Sequence, residues 1–189
     1  HLIFTSTLSV YGRPESNPVK ESHPVKGEFP YAATKWWGEQ MVSTFTAGTQ
    51  VTVLRLPSLY GVGQSDSLID GLASLAIKNE LIELFDRGEV ARDTLHVDDV
   101  TGAILDCVTH PSQQRFRCLN LGCGQRITLQ EYVIALVRVL GSNSSIVQVD
   151  RPSRQPFDLF ADIDEARRQI GFNPSGLLES LERYASELQ

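Results

Sequence analysis

Tyr31 and Lys35 are the pair of side chains in this sequence with the clearest capacity for proton transfer. Residues 30–47 are predicted to form a helix, because good helix formers dominate the segment and its interior lacks proline. Residues four apart share a helix face, so the phenol and the ammonium would be neighbours. A nearby ammonium favours the phenolate. The pair can therefore act as a base that takes a proton from a substrate hydroxyl and later returns it.

Thr7 is a candidate partner for this pair. The apolar run 1–5 predicts a buried strand, and the hydroxyl-rich Thr5-Ser6-Thr7 stands at its carboxyl end. Ligands of open parallel α/β sheets bind beyond the carboxyl ends of the strands. We expect Thr7 to donate a hydrogen bond to the substrate oxygen and to help pass its proton to Tyr31.

The elements that would position these residues alternate between strand and helix. The order of strand 1–5, helix 30–47 and strand 51–57 predicts a right-handed parallel crossover. Asp98 or Asp99 is predicted to cap a helix that runs to about Thr109, and Thr128 with Glu131 forms a capping box. The remaining predicted strands are 81–85, 91–97, 117–121 and 146–149, and the remaining helices are 67–79, 129–140, 164–170 and 176–188.

Composition excludes several classes of protein. The net charge of −6 over 189 residues argues against binding to nucleic acid or to a membrane surface. The three cysteines indicate reduced thiols and a cytoplasmic location, with Cys107 on an apolar helix face. The four histidines are scattered without a ligand pattern, so we predict no metal site. A run of about 20 apolar residues, which a membrane span needs, is also missing.

Six short motifs, in order, carry a resemblance that covers essentially the whole chain. They are Thr5-Ser-Thr-Leu-Ser-Val-Tyr-Gly12, the series Glu21, Pro24, Pro30-Tyr31 and Lys35, Leu54-Arg-Leu-Pro-Ser-Leu-Tyr-Gly61, Arg92-Asp-Thr-Leu-His-Val-Asp-Asp-Val100, Asn120-Leu-Gly122 with Thr128, and the closing stretch from Ala161 to Pro174. Together they resemble the extended short-chain dehydrogenase/reductase family, the NAD-dependent epimerase/dehydratases. Each motif is weak alone, and the ordered set is specific.

The resemblance implies a role for each matching residue. Thr7, Tyr31 and Lys35 match the catalytic Ser/Thr, the catalytic base, and the lysine that binds the nicotinamide ribose of NAD and lowers the pKa of the tyrosine. The segment that runs along the nicotinamide is matched by Leu56, Pro57, Ser58 and Leu59. Arg92, and more loosely Arg154, match arginines that contact the diphosphate of a nucleotide-sugar substrate, which Ser58 would also touch.

Two positions depart from the family pattern. Leu8 and Ser9 stand where sugar 4,6-dehydratases carry Asp-Glu, which disfavours dehydration. Ser58 stands where many members carry an asparagine that touches the nucleotide-sugar, which leaves a UDP-sugar substrate open.

The fold class that follows is α/β, the C-terminal part of a Rossmann-type parallel sheet with a small α/β substrate-binding domain. Residues 1–57 and 97–124 would form the Rossmann part, and residues 58–96 and 125–189 the substrate-binding domain. A dinucleotide site needs a Gly-rich turn before a helix, and neither Gly-x-Gly-x-x-Gly nor Gly-x-x-Gly-x-x-Gly occurs in this sequence. We therefore interpret the chain as the C-terminal portion of such an enzyme, with strand 1–5 as an unprotected sheet edge.

Three functional hypotheses remain open. The first is an NAD-dependent sugar-nucleotide epimerase that removes and returns a hydride at a sugar carbon, as a homodimer whose isolated fragment is inactive. The second is an NAD(P)-dependent reductase or dehydrogenase of the same family. The third is a truncated, inactive domain that self-associates. The sequence does not fix the sugar or the nucleotide.

Overall fold

Strands and helices alternate along the chain in the computed structural model, which describes residues 1–64 and 67–188. The strands are β1 Leu2–Thr7, β2 Val51–Leu56, β3 Ser58–Tyr60, β4 Ile82–Leu84, β5 Thr94–His96, β6 Phe116–Asn120 and β7 Ile146–Gln148. The helices are α1 Pro30–Ser43, α2 Leu68–Ile77, α3 Val97–Thr109, α4 Leu129–Val139, α5 Asp164–Ile170 and α6 Leu177–Glu187. Apolar runs and period-3.6 stretches in the sequence account for this order.

The main sheet consists of three parallel strands in the order β1-β2-β6. The pairing register runs from Leu2 opposite Val51 to Thr7 opposite Leu56, so β1 and β2 end level with each other. Every residue of β2 is buried, as expected for the central strand of a covered parallel sheet. The predicted α/β class with a parallel sheet is confirmed, and β1 is an edge of this sheet within the part of the chain that the structure describes.

Two small parallel pairs lie outside the main sheet, β3 with β5 and β4 with β7. Strand β3 is not among the strands predicted from the sequence, because the predicted strand 51–57 ends at Pro57. Proline does end β2, since it cannot donate to the ladder, but the chain resumes pairing at Ser58. The predicted strands 81–85 and 91–97 are shorter than expected and pair with β7 and β3 respectively.

The ends of the helices show which local sequence signals were sufficient to predict a helix boundary. The capping box of Thr128 and Glu131 is confirmed by reciprocal hydrogen bonds. The predicted cap of α3 is wrong: His96 is the N-cap and accepts from the Asp98 N–H, while both aspartates lie in the first turn. Helix α1 ends at Ser43 rather than at residue 47, and a 3₁₀ turn over Thr44–Thr46 follows it.

Buried apolar side chains form two large clusters and one small one. The first joins the main sheet, α3 and residues 159–172, the second lies between α2, α4 and α6, and the third packs Val42 against β2. Residues 159–172, which the sequence division assigns to the second domain, thus share a core with the main sheet. Cys107 is fully buried on α3 as predicted. Within residues 1–64 and 67–188 no helix combines the length and apolar character that crossing a bilayer requires.

Candidate active site

A cavity of about 400 Å³ opens beyond the carboxyl ends of β1 and β2. Its size is within the range usual for small-molecule sites. The structure brings together there every site residue predicted from the sequence except Arg154. These are Thr7, Tyr31, Lys35, Leu56, Pro57, Ser58, Leu59 and Arg92.

Thr7 is the last residue of β1, and its hydroxyl oxygen acts as a hydrogen-bond acceptor in the folded chain. The Thr7 Oγ accepts the backbone N–H of Ser9 at 3.2 Å, which makes Thr7 the N-cap of a 3₁₀ turn over Leu8–Tyr11. Because the oxygen already accepts one N–H, the hydroxyl proton remains available for donation. Thr7 can therefore donate to an oxygen placed in the cavity. The turn ends at Gly12, whose φ of 62° favours glycine.

Tyr31 and Lys35 stand one turn apart at the start of α1, as the sequence predicted. Pro30 is the first residue of the helix, where its missing N–H has no cost. The Lys35 Nζ donates to the main-chain oxygen of Thr5 at 2.9 Å and lies 5.9 Å from the centroid of the Tyr31 ring. The Tyr31 side chain is 59% exposed, so its phenol is accessible from the cavity.

Residues 56–59 form one wall of the cavity, where the chain passes from β2 to β3. Leu56 and Leu59 contribute apolar surface, and Pro57 separates the two strands. Ser58 is exposed and is the polar group of this wall. Such a wall suits a flat apolar face of a ligand, with one hydroxyl for orientation.

Arg92 supplies positive charge to the same cavity. Its guanidinium donates to the main-chain oxygens of Phe157 at 3.2 Å and Gln155 at 2.6 Å, and to the Ser153 Oγ at 2.9 Å. These acceptors are neutral, and no carboxylate of the described residues forms an ion pair with Arg92. Burial lowers the pKa of this guanidinium, and Asp86 and Asp158 oppose that shift from a distance. Arg92 therefore forms no ion pair with the adjacent Asp93.

Asp93 is buried, and its carboxylate bonds to main-chain N–H groups. Its carboxylate accepts the backbone N–H groups of Cys123 at 2.7 Å and Ala161 at 2.9 Å. A Cβ on Gly122 would lie 2.2 Å from the Asp93 Oδ2, so only glycine allows this approach. Burial raises the pKa of Asp93 to about 6, although the two N–H groups act in the opposite direction. Through these hydrogen bonds, Arg92 and Asp93 together hold residues 153–161 against the rest of the site.

Arg154 is the predicted residue that the structure does not bring to the cavity. Its side chain is exposed, and the neighbouring Gln155 lines the cavity instead. Ser9 also lines the cavity, and Gln64 is a further polar lining residue that the sequence analysis missed. Polar amides in loops carry no spacing signal, so only the folded chain identifies them.

Within residues 1–64 and 67–188, one group of side chains has ligand atoms close enough for a metal ion; it lies outside the cavity and consists of His96, Asp98 and Glu187. The sequence analysis did not foresee this grouping, since Glu187 comes from α6. The His96 Nδ1 already accepts the Asp98 N–H at 3.3 Å, and the Arg183 guanidinium lies 3.6 Å from the Asp98 carboxylate. A cation therefore already neutralises one of the two acids, and the imidazole serves as a helix cap.

Comparison with known proteins identifies relatives of this chain. Residues 1–122 match the family model described as the NAD dependent epimerase/dehydratase family. A UDP-glucose 4-epimerase from Streptomyces lividans is 29% identical over an alignment of 191 positions, gaps included, which covers 92% of this chain and 58% of the relative. The chain thus spans about three fifths of the length of the curated relatives it matches.

Solved structures give the same result for the fold. A UDP-glucose 4-epimerase from Stenotrophomonas maltophila, with bound NAD and formylated UDP-arabinopyranose, superposes with a TM-score of 0.84 at 26% identity, covering 97% of this chain and 61% of that chain. RMD from Pseudomonas aeruginosa, complexed with NADPH, superposes with a TM-score of 0.82 at 26% identity, covering 98% of this chain and 65% of that chain. The predicted relationship to Rossmann-type enzymes is confirmed.

Proposed function

The chain belongs to the NAD-dependent epimerase/dehydratase family, and from that membership we propose that the protein containing it epimerises a nucleotide-sugar. One observation carries the proposal. A hydroxyl donor at Thr7, an accessible phenol at Tyr31 and the guanidinium of Arg92, which forms no ion pair within residues 1–64 and 67–188, line a single cavity. The first two suit a reacting sugar hydroxyl, and the third suits the diphosphate of its nucleotide.

The residues of this cavity fit the nicotinamide end of NAD. The Lys35 ammonium uses one of its three N–H groups for the Thr5 oxygen, so the others are free for ribose hydroxyls. Leu56 and Leu59 give an apolar wall for a flat ring. When bound, NAD supplies the hydride acceptor and donor that epimerisation at a sugar carbon requires.

The proton path runs through Thr7 and Tyr31. The Thr7 oxygen accepts the Ser9 N–H, and the hydroxyl proton takes no part in that bond. Thr7 therefore donates this proton toward the substrate oxygen. In its phenolate form the Tyr31 oxygen would take the proton of the reacting hydroxyl, and the phenol so formed would return it after the sugar has presented its other face. General acid–base catalysis of this kind contributes about 10²–10⁴ in rate.

Arg92 would orient the nucleotide. Its partners Phe157, Gln155 and Ser153 hold the guanidinium in place without neutralising it. Charge-assisted bonds between a guanidinium and phosphate oxygens are roughly twice as strong as neutral ones, which favours a diphosphate over an uncharged sugar. Ser58 and Arg154 stay candidates for further substrate contacts, Ser58 from the cavity wall and Arg154 from outside it.

A second candidate is a reductase or dehydrogenase of the same family. The similarity to RMD, whose structure contains NADPH, favours it at the same level of identity as the epimerase. Both candidates use the same groups on Thr7, Tyr31 and Lys35, so the cavity does not separate them.

An NMR assay of the full-length protein that contains this chain separates the two. The protein is incubated with NAD and a panel of UDP-sugars, and the anomeric protons of substrate and product are followed. Epimerisation predicts a second UDP-sugar at equilibrium with no net change in NADH absorbance at 340 nm. Net formation or consumption of reduced cofactor without an epimer would favour the reductase.

A further inference from the structure

A buried polar row crosses the main sheet at the floor of the cavity, and its first member, Ser6, lines the cavity. Ser6, Arg55 and Asn120 are register partners across β1, β2 and β6. All three side chains are buried, whereas their neighbours on β2 are the apolar Leu54 and Leu56. The next residue pair along β1 and β2, Thr7 with Leu56, lines the cavity. The polar row is therefore the layer of the sheet directly under the reacting groups.

Glu39 of α1 covers this row and pairs with it. Its carboxylate receives the Arg55 Nη2 at 2.7 Å and the Arg55 Nε at 3.1 Å, and its side chain is only 2% exposed. The Ser6 hydroxyl donates to the Glu39 Oε1 as well. Burial alone would lower the pKa of Arg55, and the hydrogen bond with Glu39 leads the opposing effects, so the pKa is raised. Arg55 is thus a fixed cation that binds the Glu39 carboxylate through two of its three nitrogens.

The network continues beyond the ion pair. The Arg55 Nη1 donates to the Tyr11 hydroxyl at 2.8 Å, and that hydroxyl donates to the Asn120 Oδ1 at 2.7 Å. The Asn120 Nδ2 in turn donates to the Val19 oxygen at 3.0 Å. Each buried polar group that links β1, α1, β2 and β6 here has a partner, so the network has one arrangement rather than several.

Stability alone does not explain this network. A buried ion pair is often no more stabilising than apolar residues of the same volume, because desolvation offsets the attraction. What an ion pair with fixed hydrogen bonds adds is direction. In this chain the fixed hydrogen bonds hold helix α1 in one orientation relative to the end of strand β1. Tyr31 lies on that helix and Thr7 on that strand.

We propose that Glu39 is a positioning residue that, through Ser6, fixes Thr7 of β1 relative to Tyr31 of α1. Tyr31, Lys35 and Glu39 are spaced four apart on one face of α1. Lys35 holds the Thr5 oxygen and Glu39 holds the Ser6 hydroxyl, so two successive turns of the helix bind two successive residues of the strand. The consequence for catalysis rests on the function proposed above, whereas the tether itself does not.

Ser6→Ala tests the tether with the least disturbance, since it removes one hydroxyl and leaves the Glu39–Arg55 pair intact. Ser6→Thr keeps the hydroxyl and suits a strand. Ser180→Ala is the matched control, because Ser180 is also buried, donates its hydroxyl to the Leu177 oxygen of its own helix and lies outside the cavity lining. All three are made in the full-length protein.

Amide hydrogen exchange gives a readout that does not depend on turnover. We expect exchange of residues 2–9 to accelerate by about tenfold or more in Ser6→Ala and to stay near wild type in Ser6→Thr and Ser180→Ala. Unchanged exchange in Ser6→Ala would overturn the proposal. If Ser6→Thr fails to fold, Ser6→Cys replaces it, since its thiol can still donate to the Glu39 carboxylate while the Glu39–Arg55 pair stays intact.

Steady-state kinetics tests the catalytic consequence. Ser6→Ala should lower kcat by about tenfold with KM changed less than about threefold, as loss of alignment without loss of binding contacts requires. Ser6→Thr should restore kcat. Equal kcat in Ser6→Ala and Ser180→Ala, with both folded, would contradict the positioning role. Accelerated exchange in a protein that shows no epimerase activity in its wild-type form would leave the tether standing and refute the proposed function instead.

Discussion

The Lys35 Nζ donates a hydrogen bond to the main-chain oxygen of Thr5 at 2.9 Å. This bond joins the first turns of α1 to the last residues of β1, although 30 residues separate them in sequence. It holds the ammonium at the rim of the cavity, 5.9 Å from the Tyr31 ring. The spacing of Tyr31 and Lys35 sets their common helix face, and the bond to Thr5 turns that face toward Thr7.

Substitution at Thr7 should show how much its hydroxyl contributes to turnover and to stability. Thr7→Ser keeps both the acceptor for Ser9 and the donor for substrate, so kcat should stay within about threefold of wild type, whereas Thr7→Val should lower it by about 10²-fold or more. Loss of the N-cap in Thr7→Val should also cost about 1 kcal/mol of unfolding free energy. Steady-state rates and urea unfolding of both variants check this, and equal kcat in the two would contradict it.

Arg92→Ala should weaken binding of a nucleoside diphosphate by about tenfold or more, since a charge-assisted contact to phosphate is lost. Binding of the corresponding nucleoside should change little. Calorimetric titration of the full-length protein with UDP and with uridine makes the comparison.

Arg138→Ala is the control for Arg92→Ala, because Arg138 is an exposed arginine at the end of α4, outside the cavity lining. It should leave the affinity for UDP unchanged. Equal losses for UDP and uridine in Arg92→Ala would indicate that Arg92 only supports the loop at residues 153–157.

Asp93 should make the stability of the protein fall as pH rises through the range from 4 to 6. Its folded pKa of about 6 lies above the ordinary value of 3.8, so the folded state holds the proton more tightly. This contribution is complete below the unfolded pKa and is lost as pH rises through the folded pKa, with a size on the order of 2–3 kcal/mol. In Asp93→Asn the contribution is absent.

Urea unfolding at pH 4 and pH 7 tests the effect of Asp93. The stability advantage of wild type over Asp93→Asn should be larger at pH 4. An advantage that is the same at both pH values, or larger at pH 7, would show that the carboxylate is not penalised by its burial.

These 189 residues alone should bind NAD weakly, with a Kd above about 100 µM, because they contain no Gly-rich phosphate turn. The groups that fit the cofactor are confined to its nicotinamide end. Calorimetric titration of the chain with NAD is the measurement, and a Kd in the low micromolar range would contradict the expectation.

Much of the fold followed from local patterns in the sequence. The apolar run ending at Thr7 and the helix-forming stretch after Pro30 determine their own structure, because strand and helix periods differ. The capping box at Thr128 was equally local. The N-cap of α3 was missed because His96 is an uncommon cap, and Asp98, the more common type, stands two residues later.

The candidate site was predictable where its residues belong to motifs and unpredictable where it depends on contacts between distant segments. Thr7, Tyr31 and Arg92 carry recognisable spacing. The pairing of Glu39 with Arg55, and of Arg55 with Tyr11 and Asn120, depends on register across three strands. The register between strands cannot be predicted from the pattern of a single sequence, so the polar row under the cavity is seen only in the folded chain.

The most direct test of the central claim is turnover of Tyr31→Phe in the full-length protein, with the same substrate and across several pH values. Because the Tyr31 side chain is largely exposed, the substitution should leave folding, cofactor binding and substrate binding nearly unchanged. Loss of the phenol oxygen should lower kcat by about 10²–10⁴-fold at every pH. A variant that binds both ligands normally and keeps the wild-type kcat would contradict the assignment of Tyr31 as the acid–base group.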